Sequence, residues 1–228
     1  MKLKMIETKL NLGCRIDFMP KDKGWINCDI VDFEWLKKML QQKLKQDMNK
    51  SKLNKVHSLE ELERMVRTDN VNYIPFNLLE FPYPFKEDQF ELVVADGILE
   101  HFTGEQIPKI IKELHRVMKS NSKLIIKTPH YSNATGLTMM DHRNFFGVET
   151  FHFLYEVYEG FLGMFKPNLK VKLIWKHERY NRHLIKVIAK IGNWFLNLNP
   201  RRSERYFANY LGGFEGIEYE IEVLKTEN

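Results

Sequence analysis

The sequence predicts an α/β fold, a doubly wound and mostly parallel sheet that ends in an antiparallel strand. Three observations carry that expectation. Short apolar runs of strand character alternate with segments of helical period along most of the chain. The run Phe90 to Ala95 is continuously apolar after Glu91, as a strand buried on both faces should be, and it is followed by the strongest helix pattern in the chain. Near the C-terminus Ile217, Tyr219, Ile221 and Val223 alternate with Glu218, Glu220 and Glu222, the period of an antiparallel strand with one wet face.

The elements follow in order. Thr8 to Leu12 reads as a strand ending at Gly13, and Trp25 to Ile30 as a second. Pro20 and Gly24 punctuate the gap of about a dozen residues, which is the lower limit for a crossover, so no full helix is expected there. Leu36, Leu40, Leu44 and Met48 recur every fourth residue and predict a helix over Glu34 to Met48. Asn49 to Lys55 is a Lys-rich solvated loop. Ser58 and Glu61 form a capping box that opens a short helix with Leu59, Leu62, Met65 and Val66 inward. Asn72 to Pro75 is a third strand, followed by the Pro-punctuated segment Asn77 to Phe85.

The strand ending at Asp96 leads to a helix near Glu105 to Met118, with Ile107, Ile110, Ile111, Leu114, Val117 and Met118 on one face and Thr103 as its cap. Lys119 to Ser122 is a turn in which Asn121 takes the left-handed conformation, and Lys123 to Thr128 is the next strand. Phe151, Leu154, Val157, Tyr158, Phe161, Leu162 and Phe165 predict an apolar helical stripe, and Val171, Leu173 and Trp175 a strand. A basic helical stretch precedes the last strand.

Composition bounds the class. The 228 residues suit one domain, 43% of them hydrophobic, so disordered and fibrous classes are excluded. No apolar stretch approaches the roughly 20 residues of a membrane span, and the charged start MKLKMIETKL has no apolar signal segment, so a cytoplasmic protein is expected. Cys14 and Cys28 lack metal-ligand spacing and read as free thiols. The net charge of +5 is concentrated: Leu36 to Thr68 holds nine Lys and Arg against four Asp and Glu, and Lys176 to Tyr206 eight against two. Such patches suit an acidic substrate, nucleic acid or a membrane surface, and equally a solvated face.

In doubly wound sheets ligands bind beyond the carboxyl ends of the strands, which directs attention to Gly13 to Asp17, Asp29, Asn77, Asp96 to His101 and Thr128 to Asn133. A glycine after the first strand and a carboxylate after the second, here Gly13 and Asp29, match what a nucleotide-like ligand requires.

The ordered set Leu10-Asn11-Leu12-Gly13-Cys14, Gly24 to Ile30, Phe90 to Asp96, Leu99-Glu100-His101-Phe102, Leu114 to Lys119 and Lys123 to His130 resembles class I S-adenosylmethionine-dependent methyltransferases of the type-11-like branch. The resemblance covers about residues 8 to 160. It implies a Rossmann-like, seven-stranded sheet with an antiparallel last strand, and S-adenosyl-L-methionine as cofactor. Carried over position by position, it makes Gly13 with Asn11 and Cys14 the methionine-end loop, and Asp29 the acceptor for the ribose diol with Ile30 against adenine. Asn77 and Leu78 fall beside the adenine, and Asp96 and Gly97 near the methionine amino group. Asp29 and Asp96 as loop caps, and Asn77 as a turn residue, remain alternatives. Arg15 and Asp17 stand where that branch usually has glycines, which brings a weakened cofactor site into play.

Methyl transfer needs alignment and, for hydroxyl or amine acceptors, a base. His101 and His130 are the candidates, with His142 in Asp141-His142-Arg143-Asn144 a third. His130, Asp141 and His142 lack diagnostic metal spacing, so no metal is expected. Tyr155, Tyr158, Arg179 and Arg182 are possible walls of the acceptor site. The expected organisation is one domain over 1–228 with a basic helical insertion near 34–68 and a substrate-side helical region near 141–212. The expected activity is methyl transfer to oxygen or nitrogen of a small-molecule or glycan-type acceptor. The competing readings are a catalytically degenerate partner or regulatory protein, and a nucleic-acid methyltransferase. A dehydrogenase is disfavoured because no GxGxxG follows the first strand.

Overall fold

A computed structural model describes residues 7–45, 59–157, 164–165, 170–175, 183–208, 210 and 213–225. Seven strands, β1 (Lys9–Leu12), β2 (Trp25–Asp29), β3 (Tyr73–Pro75), β4 (Phe90–Asp96), β5 (Met118–Thr128), β6 (Lys170–Ile174) and β7 (Gly216–Glu222), form one sheet in the order β3-β2-β1-β4-β5-β7-β6. The first five are mutually parallel, and β7 runs antiparallel between β5 and β6, with Leu124 opposite Ile221 and Leu173 opposite Ile217. The doubly wound sheet with an antiparallel last strand is therefore as expected.

Between β1 and β2 the chain makes only a short 3-10 turn, Lys21–Lys23, closed by Gly24. Beyond β2, Asp32 accepts from the backbone N–H groups of Glu34 (2.8 Å) and Trp35 (3.2 Å) and so starts α1 (Phe33–Lys45). Leu36 and Leu40 of α1 meet Leu62 and Met65 of α2 (Leu59–Arg67) and the loop residues Cys14, Ile16 and Phe18 in an apolar cluster of their own. Helix α1 is thus anchored on the loop that leaves β1. The expected extension to Met48, the Lys-rich loop and the Ser58 cap lie outside the described residues.

The central strands bury Leu10, Leu12, Val93, Ala95, Leu124 and Ile126 against α3 (Gln106–Val117), whose Ile107, Ile110, Ile111, Leu114 and Val117 form the predicted face. Two local expectations are corrected. The carbonyl of Thr103, not its side chain, receives the first helical N–H groups, from Gln106 (3.0 Å) and Ile107 (3.2 Å). Met118 opens β5 beside Phe90 instead of ending the helix, and Asn121, at φ +60, lies within that strand.

Farther on, α4 (Ala134–Thr138) was not foreseen, and α5 (Thr150–Val157) forms the start of the predicted apolar helix. Phe165 does not continue that helix. It is buried in the main core and bridges to Val223 at the end of β7. The basic stretch resolves into α6 (His183–Leu196) and α7 (Pro200–Phe207), the latter capped by Asn199, whose side chain accepts from Arg202 N.

Candidate active site

The chain reverses its strand order at β1 and β4, which lie side by side while their connections leave toward opposite edges of the sheet. Ligands of doubly wound sheets bind beyond the carboxyl ends of the strands at such a reversal. Gly13, at φ +62, leads out of β1 directly beneath Ile98 from the loop after β4, and a Cβ on Gly13 would meet the Ile98 side chain at 2.8 Å. Only glycine satisfies both the backbone and the approach. Arg15 follows at φ +48, also left-handed, so the chain keeps a glycine-type path with an arginine whose side chain turns to solvent.

Asp29, at the end of β2, faces that loop. Its Oδ2 accepts from the N–H of Arg15 at 2.9 Å, and Oδ1 has a long contact of 3.4 Å from Val31 N. The carboxylate thus keeps lone pairs on both oxygens. Ile30 beside it is 68% exposed, an apolar side chain standing unpacked just past the end of β2. Asp96 and Gly97 close β4 on the other side, where Gly97 N donates to Lys127 O.

The remaining residues singled out for cofactor contact are placed differently. The Asn11 side chain is buried and points sideways, donating to Asp17 O (2.9 Å) and to Asn27 Oδ1 (3.0 Å). Cys14 turns its thiol into the α1–α2 cluster, where burial pushes its pKa up. Asn77 makes a turn by accepting from Leu79 N (3.0 Å), and Leu78 packs in the main core with its carbonyl accepting from Tyr83 OH. Asn27 was not singled out and is the hub of the loop. Buried in β2, it accepts from Met19 N (2.7 Å) and Asn11, and donates to Met19 O (2.8 Å) and Asn72 O (3.2 Å). A fully satisfied amide there fixes the loop at both ends. Its one sequence signal was a polar residue at the centre of an otherwise apolar strand.

The two candidate bases sit in opposite circumstances. Glu100 O accepts from Arg143 N (2.7 Å) and Asn144 N (3.1 Å), which docks the Asp-His-Arg-Asn motif onto the Leu-Glu-His-Phe motif. His101 Nδ1 thereby lies 3.2 Å from Asp141 Oδ2 and 3.3 Å from its carbonyl, and the His142 ring stands edge-on at 5.0 Å. Two acceptors at Nδ1 place the proton there and leave Nε2 as the basic nitrogen. Burial holds the His101 pKa below its usual value. His130 is 1% exposed, with both nitrogens engaged. Nδ1 accepts from Ser132 N (3.1 Å) and lies 2.7 Å from Ser132 Oγ, while Nε2 donates to Glu204 Oε1 at 2.8 Å. Glu204 also accepts from Val148 N (2.7 Å), tying α7 to the loops after β5. Glu204 lies 74 residues from His130, and no local pattern announced it.

Among the described residues Glu100, His101 and His142 each bring one ligand atom within 4.8 Å of the others, a trio that can grip a polar acceptor or a cation. Its members come from two segments about 40 residues apart, a pairing that spacing could not reveal. His130 has both nitrogens committed to Ser132 and Glu204 and so stands apart from Asp141 and His142. Tyr158, Arg179 and Arg182, and the side chain of Tyr155, lie outside the described residues.

The strand order, the reversed β7, the loop beneath Ile98 and the carboxylate after β2 define the class I methyltransferase fold. Residues 31–126 match a family model described as a methyltransferase domain. A solved S-adenosylmethionine-dependent methyltransferase from Archaeoglobus fulgidus is similar at 16% identity and TM-score 0.55, over 96% of this chain and 87% of that one. Phosphoethanolamine N-methyltransferase 2 of Haemonchus contortus, solved with S-adenosyl-L-methionine, is similar at 13% identity and TM-score 0.54 over 98% of this chain, which spans half of that protein. The cyclase SpnF, at 9% identity and TM-score 0.50 over 96% of this chain and 76% of that one, has the same fold under a different reaction name. A comparison with curated proteins finds no match.

Proposed function

We propose that the chain binds S-adenosyl-L-methionine beyond the carboxyl ends of β1 and β4 and transfers its methyl group to oxygen or nitrogen of a small-molecule or glycan-type acceptor. The observation that carries this reading is Asp29, a carboxylate with lone pairs free on both oxygens, set between a glycine-type loop and the exposed Ile30. The residues fit the cofactor. Gly13 leaves backbone where a Cβ would strike Ile98, Asp29 suits a vicinal diol, and Ile30 offers an apolar face to a purine. When bound, the sulfonium supplies an electrophilic methyl group on a neutral leaving group.

The protein's own part is alignment and proton removal. Asp29 accepts the two hydroxyls and fixes the ligand along β2. Gly13 and Gly97 let backbone approach from both sides. His101, held by Asp141 at Nδ1, takes the acceptor's proton at Nε2, and its lowered pKa keeps that nitrogen free at neutral pH. His130 acts as a positioning residue, since its ring is locked between Ser132 and Glu204.

The degenerate-partner reading rested on Arg15 and Asp17, and the structure bears on Arg15. Its left-handed backbone and outward side chain favour a competent loop. Equilibrium binding of S-adenosylhomocysteine to the full chain is the test: saturable heat with a 1:1 endpoint is expected, and none at millimolar ligand would overturn the reading.

A further inference from the structure

We propose that the outward face of α6, continued by α7, is a docking surface for a membrane rich in anionic lipid. The orientation of α6 is imposed by specific bonds. Asn197 accepts from Leu173 N and donates to Leu173 O, both at 2.7 Å, and Asn193 accepts from Trp175 N at 2.8 Å, so the helix is clamped along β6. Gly192 faces the Trp175 ring so closely that a Cβ would come within 2.5 Å of it, and Ala189 and Leu196 are buried on the same side. The opposite side is also apolar. Ile188, Ile191, Trp194, Phe195 and Leu198 recur at helical spacing and stand exposed, Trp194 by 66% and Leu198 by 63%.

A helix apolar on both faces needs cover on both. The charge around it selects the occupant. Over its described extent α6 carries no acidic residue, and in α7 the one carboxylate, Glu204, turns inward to His130. Arg202 and Arg205 are exposed, and neither has an acidic partner among the described residues. Tyr206 and Tyr210 add exposed rings with polar tips beside them. A second copy of the chain on this face would set arginine against arginine around an apolar centre. An anionic headgroup layer over hydrocarbon meets both requirements, with Trp and Tyr at the boundary and Arg in the headgroups. Among the described residues no helix is long and apolar enough to cross a membrane, so the contact lies in the surface.

The surface is mechanically joined to the active site, because Glu204 bonds α7 to His130 and to Val148. The intervening segment exposes Leu137, Met140 and Phe145 on either side of His142. Resting on the methyl-transfer reading, the acceptor is then an amphiphile, a polar group borne on an apolar tail in the same lipid layer.

The test is co-sedimentation of the full chain with vesicles of phosphatidylcholine alone and of phosphatidylcholine mixed with phosphatidylglycerol. Retention is expected on the mixed vesicles only, weakening with salt. Arg202→Gln with Arg205→Gln should lower it roughly thirtyfold, and Ile191→Gln with Trp194→Gln should abolish it, with melting temperatures unchanged because all four side chains are solvent-facing. Equal retention on both vesicles, none at low salt, or a dimer in sedimentation equilibrium that Ile191→Gln with Trp194→Gln dissolves would each overturn the proposal. S-adenosylhomocysteine titration of the same preparation separates the two readings. Retention without ligand heat ends the methyl-transfer reading and leaves the surface, and the converse does the reverse.

Discussion

The backbone N–H of Arg15 donates to Oδ2 of Asp29 at 2.9 Å, so the carboxylate after β2 is also the latch of the loop after β1. Two substitutions separate those roles. Asp29→Asn keeps an acceptor for Arg15 but loses the charge, and Asp29→Ala loses both. Charge-assisted hydrogen bonds contribute roughly 1.5–3 kcal/mol, so S-adenosylhomocysteine affinity should fall on the order of ten- to a hundredfold in each variant. The melting temperature should drop in the Ala variant alone. Calorimetry and melting on both proteins check this, and an affinity equal to the parent's would remove Asp29 from the site.

His101 and His130 should be opposite tautomers. His101 carries its proton on Nδ1, toward Asp141, and His130 on Nε2, toward Glu204. Nitrogen-15 shifts of labelled histidine distinguish the two forms without any acceptor in hand. Finding His101 protonated on Nε2 would leave the proposed site without its base.

Asn27 should matter for stability well beyond its size. Asn27→Ala strands Met19 N and Met19 O in a partly buried position, and an orphaned buried group costs about 1–3 kcal/mol. A loss of about 3 kcal/mol is expected in urea titration, with cofactor affinity falling as the loop relaxes. A change under about 0.5 kcal/mol, the size of an ordinary surface substitution, would show that the amide is not the hub.

Acid should destabilise the fold through His115. Its Nε2 lies 2.7 Å from Leu224 O, and burial is the main reason its pKa is lowered from 6.5. The unfolded chain therefore binds the proton more readily. The contribution of His115 is complete above pH 6.5 and is lost as pH falls below that value through the folded pKa. In His115→Gln the decline of stability between pH 6.5 and 5 should be shallower. Parallel curves for the two proteins would assign the decline to other groups.

How much of this was legible depended on whether a residue's partner lay nearby in sequence. Pro20 and Gly24 announced the missing first helix, and the Ile217 to Val223 alternation announced the reversed strand, because both signals are local. Gly13 and Asp29 could be singled out as candidates because each follows or ends a recognisable strand. Asn11 misled: a polar side chain at the end of β1 resembles a ligand contact, and only the fold shows it held by Asn27, sixteen residues on. The bonds from Glu204 to His130 and from Asn197 to Leu173 were invisible for the same reason. Each joins polar residues whose separation follows no period.

The grip of Asn197 on both the N–H and the C=O of Leu173 has a bearing on how the molecule behaves when crowded. Leu173 sits in β6, the last strand of the sheet, where an unoccupied backbone would accept a strand from a neighbour. With those two groups already answered by a helix, that edge offers no template for cross-β growth at its centre. Self-association at high concentration is thereby steered into reversible sticking through side chains, and dilution or mild detergent should reverse it, whereas fibres would not dissolve.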